Sequence, residues 1–290
     1  MLQSIPWILT IVLYAPVFRA LYLSVWDVRD YTHAYFILPL ALFITWTKRK
    51  DIHQQITQCA SHNTHHAIGF LLFIFGLASF ILGWRWDYHF IRTLSLIPVL
   101  FGLCLFLYSK DLTKTLSFPI LYLLLLVPIP VGILDNITLP MRYAASYMSA
   151  HILTAMNYDI VREGLLINMG GHEIFMGAPC SGFRSLITMM SLGLVYIYFT
   201  CQPNTVILSP KGEGSQIKEK SYVKAIILFI SIIPLALLGN LVRVIALCLI
   251  TFHFGEAAGQ GFFHNFSGMV VFLIIILGLM GLEKLLSRKK

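Results

Sequence analysis

Long apolar segments recur along the whole chain and decide what it can fold into. We count about eight, each near the ~20 residues that an α-helix needs to cross a bilayer. They lie near residues 5–23, 33–47, 67–84, 91–108, 115–133, 181–200, 222–250 and 265–286. With 58% hydrophobic and 12% charged residues, the composition is far from that of a soluble domain. The sequence therefore predicts an all-α integral membrane protein, a single polytopic domain over residues 1–290.

The distribution of positive charge predicts the orientation of these helices. The net charge of +8 does not indicate nucleic-acid binding, because the basic residues are scattered and form no basic-aromatic stripe. Lys and Arg accumulate in cytoplasmic loops. With the N-terminus inside and eight spans, every lysine falls on the inner side, whereas the outer or membrane-embedded cations are all arginine. The polar segment 202–221 then becomes a cytoplasmic loop that could bind a partner.

Cysteine and histidine usage argues against a metal or another cofactor. The five cysteines form no CxxC pair, and an odd number resists a complete disulfide framework. The histidine-rich run SHNTHH, residues 61–66, could bind a metal, but a solvated inner loop is the simpler interpretation. We predict neither a metal site nor a cofactor.

One outer segment, residues 134–179, is long and only partly apolar. In its first part apolar residues recur at steps of three and four, which is typical of an amphipathic helix. Its second part, LLINMGGHEIFMG, predicts a small hairpin that turns at Gly170–Gly171. An extracytoplasmic helix-plus-hairpin cap is therefore expected directly before Cys180.

The octapeptide GAPCSGFR, residues 177–184, places Cys180 at the predicted outer N-terminus of the sixth helix. Partial positive charge at such a terminus lowers the pKa of a thiol and favours the reactive thiolate. Arg184, four residues further on, is expected on the same helix face and would stabilise the anion. Ser181 and Gly182 are small and leave room for a substrate backbone. The alternative is a cysteine that serves as a small apolar filler.

Two further residues are expected at the same membrane face. Arg243 follows Lys224 by ~28 Å of helix at 1.5 Å per residue, which brings it near the outer side. A cation at membrane depth is costly and suggests a function, although it can also reach up to lipid phosphates. His264 precedes the last predicted helix, again on the outer side. Thiol, cation and proton carrier are the groups that cysteine acyl transfer requires.

The choice of His264 is not unique from the residues alone. Other histidines near the outer side are His33, His89, His151, His172 and His253. Spacing alone does not show which of them meets Cys180.

Five segments in order along nearly the whole chain resemble one known family. They are DYTHAYFILPLALFITWTKRK, SFPILYLLLLVPIP, VREGLLINMGGHEIFMGAPCSGFRSL, GNLVRV and HNFSG. The sequence resembles the exosortase/archaeosortase family of membrane cysteine transpeptidases, and the third segment looks like its hallmark. Two features depart from the family pattern: Pro179 precedes the cysteine, and the polar loop 202–221 is longer than usual.

The resemblance implies roles for particular residues. Cys180 would be the nucleophile, Arg243 the invariant arginine and His264 the histidine, with Arg184 and Ser181 in support. The implied partners are membrane-anchored secreted proteins whose C-terminal sorting signal combines a short motif (often Pro-Glu-Pro, as in PEP-CTERM sorting), a transmembrane helix and a basic tail. Cleavage through a thioester at the outer face of a bacterial inner membrane would follow.

A different class of function stays open at this point. A membrane component of transport or polysaccharide export, without protease activity, would show helices broken at mid-depth. Pro234 and Gly239–Asn240 are expected to break the seventh helix in this way. Serine and aspartate intramembrane proteases are less favoured, because neither a GxSG motif nor a membrane aspartate pair is present.

Overall fold

The computed structural model describes residues 4–26, 31, 33–58, 66–200, 214–255, 273 and 276–286, and these are mainly helical. The helices are α1 (Ile5–Leu21), α2 (Ala34–Thr47), α3 (Arg49–Gln58), α4 (His66–Arg85), α5 (His89–Leu94), α6 (Leu96–Leu107), α7 (Lys110–Tyr122), α8 (Val131–Ala155), α9 (Phe183–Thr200) and α10 (Gly214–Phe254). The chain divides into two compact units, Met1–Val131 and Gly132–Lys290.

In the first unit, glycines let α4 pack directly against the backbone of α6. A Cβ atom added to Gly69 would lie 2.5 Å from the backbone nitrogen of Phe106. One added to Gly76 would lie 2.8 Å from the backbone nitrogen of Val99. Small residues at the contact are typical of helix pairs in membranes, where close packing replaces the hydrophobic drive. The two helices therefore form a tightly packed pair.

Four of the described helical segments are long and apolar enough to cross a membrane. They are Ile5–Trp26, His66–Arg85, His89–Leu107 and Ile226–Phe254. A fifth is counted if Lys110–Leu126 and Val131–Ala155 together form one span. The protein is thus a multi-pass membrane protein, but the predicted count of about eight spans is not confirmed.

Two of the predicted spans, 33–47 and 181–200, correspond to helices that are too short, and a third, 115–133, is interrupted. Helix α2 has 14 residues, and at 1.5 Å each it covers ~21 Å of a hydrocarbon core that is ~30 Å thick. The predicted span 115–133 is not one helix, because regular helix ends at the 3-10 turn Leu123–Leu126, ahead of Pro128 and Pro130. Proline removes a backbone donor and disfavours helix in the residue before it. The predicted span 265–286 lies largely outside the described residues.

In the second unit, α8 leads into a three-stranded antiparallel sheet in the order β1 (Ile160–Glu163), β2 (Leu166–Met169) and β3 (His172–Phe175). A helix and a hairpin occupy the predicted ranges, and the hairpin turns at Gly170–Gly171, whose φ values are +60° and +83°. Their predicted position as an extracytoplasmic cap is not confirmed. Strand β1 was not predicted.

Helix α10 runs without a break from Gly214 to Phe254. The predicted break at Pro234 and Gly239–Asn240 is therefore wrong. A membrane helix tolerates a proline or glycine when neighbouring groups satisfy the backbone. The first two turns of α10 also occupy part of the predicted polar loop 202–221, while residues 201–213 lie outside the described part of the chain.

The described part of the final helix, residues 276–286, is attached to α9 and α10. Its Glu283 carboxylate accepts hydrogen bonds from Lys224 Nζ of α10 at 3.0 Å and from the Tyr196 hydroxyl of α9 at 2.9 Å. A buried cluster formed by Met189, Ile232 and Ala236 packs against the apolar residues of the same helix. These contacts hold three helices together in the second unit.

Candidate active site

Cys180 lies in a 3-10 turn, Ala178–Ser181, between strand β3 and helix α9. Its backbone N–H donates to the carbonyl oxygen of Gly177 at 3.0 Å. Gly182 follows in the left-handed conformation, with φ +74° and ψ −1°, before α9 begins. Glycine is the residue that adopts this conformation without a steric cost. Cys180 therefore precedes α9 in a separate turn and does not lie in its first turn.

The predicted shared helix face of Cys180 and Arg184 is wrong for this reason. The i,i+4 relation holds only within one continuous helix, and the left-handed Gly182 interrupts the path between the two residues. The side chains have different surroundings, since Cys180 is 6% exposed and Arg184 is exposed.

Ser181 has a structural contact in this turn. Its hydroxyl accepts a hydrogen bond from the Phe183 N–H at 3.2 Å, and the residue is buried. The first N–H groups of a helix have no partner within the helix, so a serine oxygen that accepts from one stabilises the start of α9. The sequence suggested only that a small residue leaves space here.

Helix α10 contacts the cysteine turn through Asn240. The amide Nδ2 donates to the carbonyl oxygen of Cys180 at 2.7 Å, and both groups are buried. A Cβ atom on Gly182 would lie 2.7 Å from both Cβ and Cγ of Asn240, which is closer than real Cβ contacts come. The amide side chain thus packs against the turn and bonds to its backbone.

Sequence reasoning treated Asn240 only as part of a helix break and missed this contact. A signal was present, because an amide in an apolar helix has to find a hydrogen-bond partner when it is buried. The partner is 60 residues away in the chain, and no local pattern identifies it.

Arg243 lies on the same helix, three residues after Asn240. In an α-helix this spacing amounts to about 4.5 Å along the axis and about 60° around it. The side chain is partly buried. The structure thus places Arg243 less than one turn from the residue that bonds to the backbone of Cys180.

His264 lies outside the described residues. Two of the alternative histidines of this unit are exposed: His151, which stacks on Tyr147 at 6.3 Å between ring centroids, and His253, whose ring lies 5.0 Å from that of Phe252. His172, on β3, is partly buried. His33 and His89 belong to the first unit.

The Cys180 side chain belongs to a buried, largely apolar cluster drawn from α8, the sheet and α10. The other members are Ala145, Leu153, Ile167, Met169, Met176, Val244 and Cys248. Such surroundings shield the Cys180 side chain from bulk water.

No metal-binding group of three or more His, Cys, Asp or Glu side chains is found in the part of the chain that the structure describes. Of the histidine-rich run at residues 61–66, only His66 falls within that part. Its Nδ1 atom lies 2.6 Å from the carbonyl oxygen of Phe106.

A family model for transmembrane exosortases (Exosortase_EpsH) matches residues 26–208 and 216–281. The chain belongs to the transmembrane exosortase family. The resemblance read from the sequence motifs is therefore confirmed. The first matched range of this exosortase includes Cys180, and the second includes Arg243 and His264. Comparison with curated proteins and with solved structures finds no match.

Proposed function

We propose that this exosortase is a cysteine transpeptidase that cleaves the C-terminal sorting signal of secreted proteins at the outer face of the bacterial inner membrane. The observation that carries the proposal is the family match, which spans the segment around Cys180. Its substrates carry a short motif, a transmembrane helix and a basic tail. Their helix lies in the lipid beside the protein, so that the motif emerges where the cysteine turn is expected.

The first proposed step forms a covalent bond between enzyme and substrate. The Cys180 thiol transfers its proton to His264, and the sulfur attacks a backbone carbonyl carbon near the motif. The carbonyl oxygen becomes an oxyanion, which the Arg243 guanidinium stabilises. Arg184 supports Arg243 in stabilising the oxyanion, and Ser181 supports the turn by accepting a hydrogen bond from the Phe183 N–H.

The second step releases the tail and then the product. When the oxyanion collapses, the carbon–nitrogen bond breaks, and the leaving amine takes the proton from His264. The substrate's acyl group is then held on Cys180 as a thioester. An amine or a water molecule attacks this thioester, gives its proton through His264 to the departing sulfur and restores the thiol. Transfer to an amine and hydrolysis use the same groups.

The alternative, a transport or polysaccharide-export component, is no longer supported by the seventh helix. The break at mid-depth expected there was the observation that favoured this reading. Helix α10 is continuous through Pro234 and Asn240.

Replacement of the nucleophile tests the proposal directly. A reporter with Pro-Glu-Pro, an apolar helix and a basic tail is coexpressed with the protein, and tail release is followed by immunoblot. Cys180→Ala should lower processing more than ~10³-fold, as removal of a nucleophile does in other hydrolases. Cys104→Ala, the same change at a buried cysteine of the first unit, should process normally. Reporter cleavage by folded Cys180→Ala protein would show that the nucleophile is another group.

A further inference from the structure

We infer that Asn240 is the positioning residue of Cys180, fixing the position of the thiol relative to the helix that carries Arg243. This inference rests on the proposed function. Asn240 touches neither substrate nor reacting atoms in this account, and it acts through the backbone of the nucleophile.

The turn that carries Cys180 is only weakly held by its own hydrogen bonds. Cys180 lies in a four-residue 3-10 turn, and such turns have poorer hydrogen-bond geometry than an α-helix. The hydrogen bond from the Cys180 N–H to the Gly177 carbonyl oxygen spans 3.0 Å. An added contact from outside the turn therefore has a large influence on its conformation.

Asn240 bonds to a backbone atom of the nucleophile itself. Its amide bonds to the carbonyl oxygen of Cys180 at 2.7 Å, a short distance for an N–H donor. The carbonyl carbon is bonded directly to the Cα of Cys180, and the peptide that it begins is planar. Holding the carbonyl oxygen therefore holds this Cα, from which the side chain with the sulfur extends, next to α10. The hydrogen bond thus fixes where the nucleophile lies relative to that helix.

Asn240 also packs closely against Gly182 of the cysteine turn. The residue is 3% exposed, and its Cβ and Cγ occupy the space that a Cβ on Gly182 would need. The absent side chain at Gly182 and the amide at Asn240 thus form one complementary contact. A longer side chain at residue 240 would push the turn away from α10.

The contact with Asn240 also relates Cys180 to Arg243, the second proposed catalytic group. Arg243 follows Asn240 by less than one helical turn on the same continuous helix. A hydrogen bond from that helix to the backbone of Cys180 therefore sets the register between guanidinium and thiol. A small misplacement of reacting groups can lower a rate ~100-fold, so this register matters for catalysis.

Two variants, one apolar and one acidic, test the effect of losing the Asn240 amide N–H donor. Asn240→Leu and Asn240→Asp both keep the branch at Cγ and both remove the amide N–H. Purified protein in detergent is assayed with the reporter at varied concentration, and Cys180 modification by iodoacetamide is timed by peptide mass spectrometry. Both variants should lower kcat by ~10–100-fold. KM should stay within about twofold of wild type, because substrate binding is unchanged. The alkylation rate of Cys180 should change in both.

Thr251→Val is the matched control, because Thr251 is a buried polar residue of the same helix. It should keep kcat and the alkylation rate of wild type. Gel filtration of every variant shows whether the protein remains folded.

The outcomes separate this inference from the proposed function. Equal kcat and equal alkylation in wild type and both Asn240 variants overturn the positioning role while processing stands. An equal loss in Thr251→Val overturns it as well, because the effect then belongs to α10 in general. A wild type that does not process the reporter, with alkylation that still differs in the Asn240 variants, overturns the proposed function and supports the hold on Cys180.

Discussion

Glycine allows close approach in both units of this exosortase, but the neighbouring group differs. In the first unit, Gly69 and Gly76 of α4 face the backbone of α6. In the second unit, Gly182 faces the side chain of Asn240, which also bonds to Cys180. The first contact brings two helices together over their length, whereas the second orients a single peptide group.

The two kinds of glycine contact should affect different properties, one the stability of the protein and the other its activity. A helix pair packed over several turns contributes to the free energy of unfolding, and a change there should affect folding first. A single polar contact at the cysteine turn contributes less to folding than to the geometry of the nucleophile. Substitutions at glycines of the two kinds should therefore give different kinds of loss.

Among the glycine substitutions, the largest effect is expected from Gly182→Ala. The new Cβ would lie 2.7 Å from Asn240, and alanine at φ +74° is strained, so the turn has to move. We expect reporter processing to fall ~10–100-fold. Gly171→Ala is the matched control, because Gly171 also has positive φ, +83°, but no atom within 4 Å of an added Cβ. Equal losses in the two variants would mean that backbone strain, and not the contact with Asn240, is responsible.

A smaller effect, on stability, is expected from Gly76→Ala. Its Cβ would lie 2.6 Å from Val99 Cγ2, and overpacking of this kind costs ~1–3 kcal/mol. The thermal unfolding midpoint in detergent should fall, while the folded fraction keeps its processing rate. Gly132→Ala, at a helical glycine with open space around it, should leave the midpoint unchanged or raise it. A Gly76→Ala protein as stable as wild type would show that α4 and α6 are not as tightly packed as described.

Much of the helical architecture could be predicted, because apolar runs of membrane length leave few alternatives. Helix α4 begins and ends within a residue of the predicted span. The hairpin at Gly170–Gly171 was also predictable, because two adjacent glycines favour a turn with positive φ. Whether a helix continues or breaks where it packs against other helices, however, depends on neighbours that a sequence pattern does not identify. The break expected at Pro234 failed for this reason, whereas the single helix expected over 115–133 failed because helix ends locally, ahead of Pro128 and Pro130.

The candidate site, too, could be predicted only in part from the sequence. Cys180 and Arg243 could be selected because a thiol beside small residues and a cation at membrane depth are unusual. The conformation of the turn and the contact with Asn240 could not, because both depend on a neighbour far along the chain. The interruption at Gly182 also means that Cys180 and Arg184 do not share one helix face.

The central claim is that Cys180 is a reactive thiol facing outward, and labelling in intact cells tests it most directly. A small, charged, membrane-impermeant methanethiosulfonate is applied to intact cells that carry wild type or Cys180→Ser. The account predicts labelling of wild type that is slow, because Cys180 is only 6% exposed, and that is absent in Cys180→Ser. Labelling of Cys180 only after the inner face is opened would contradict it.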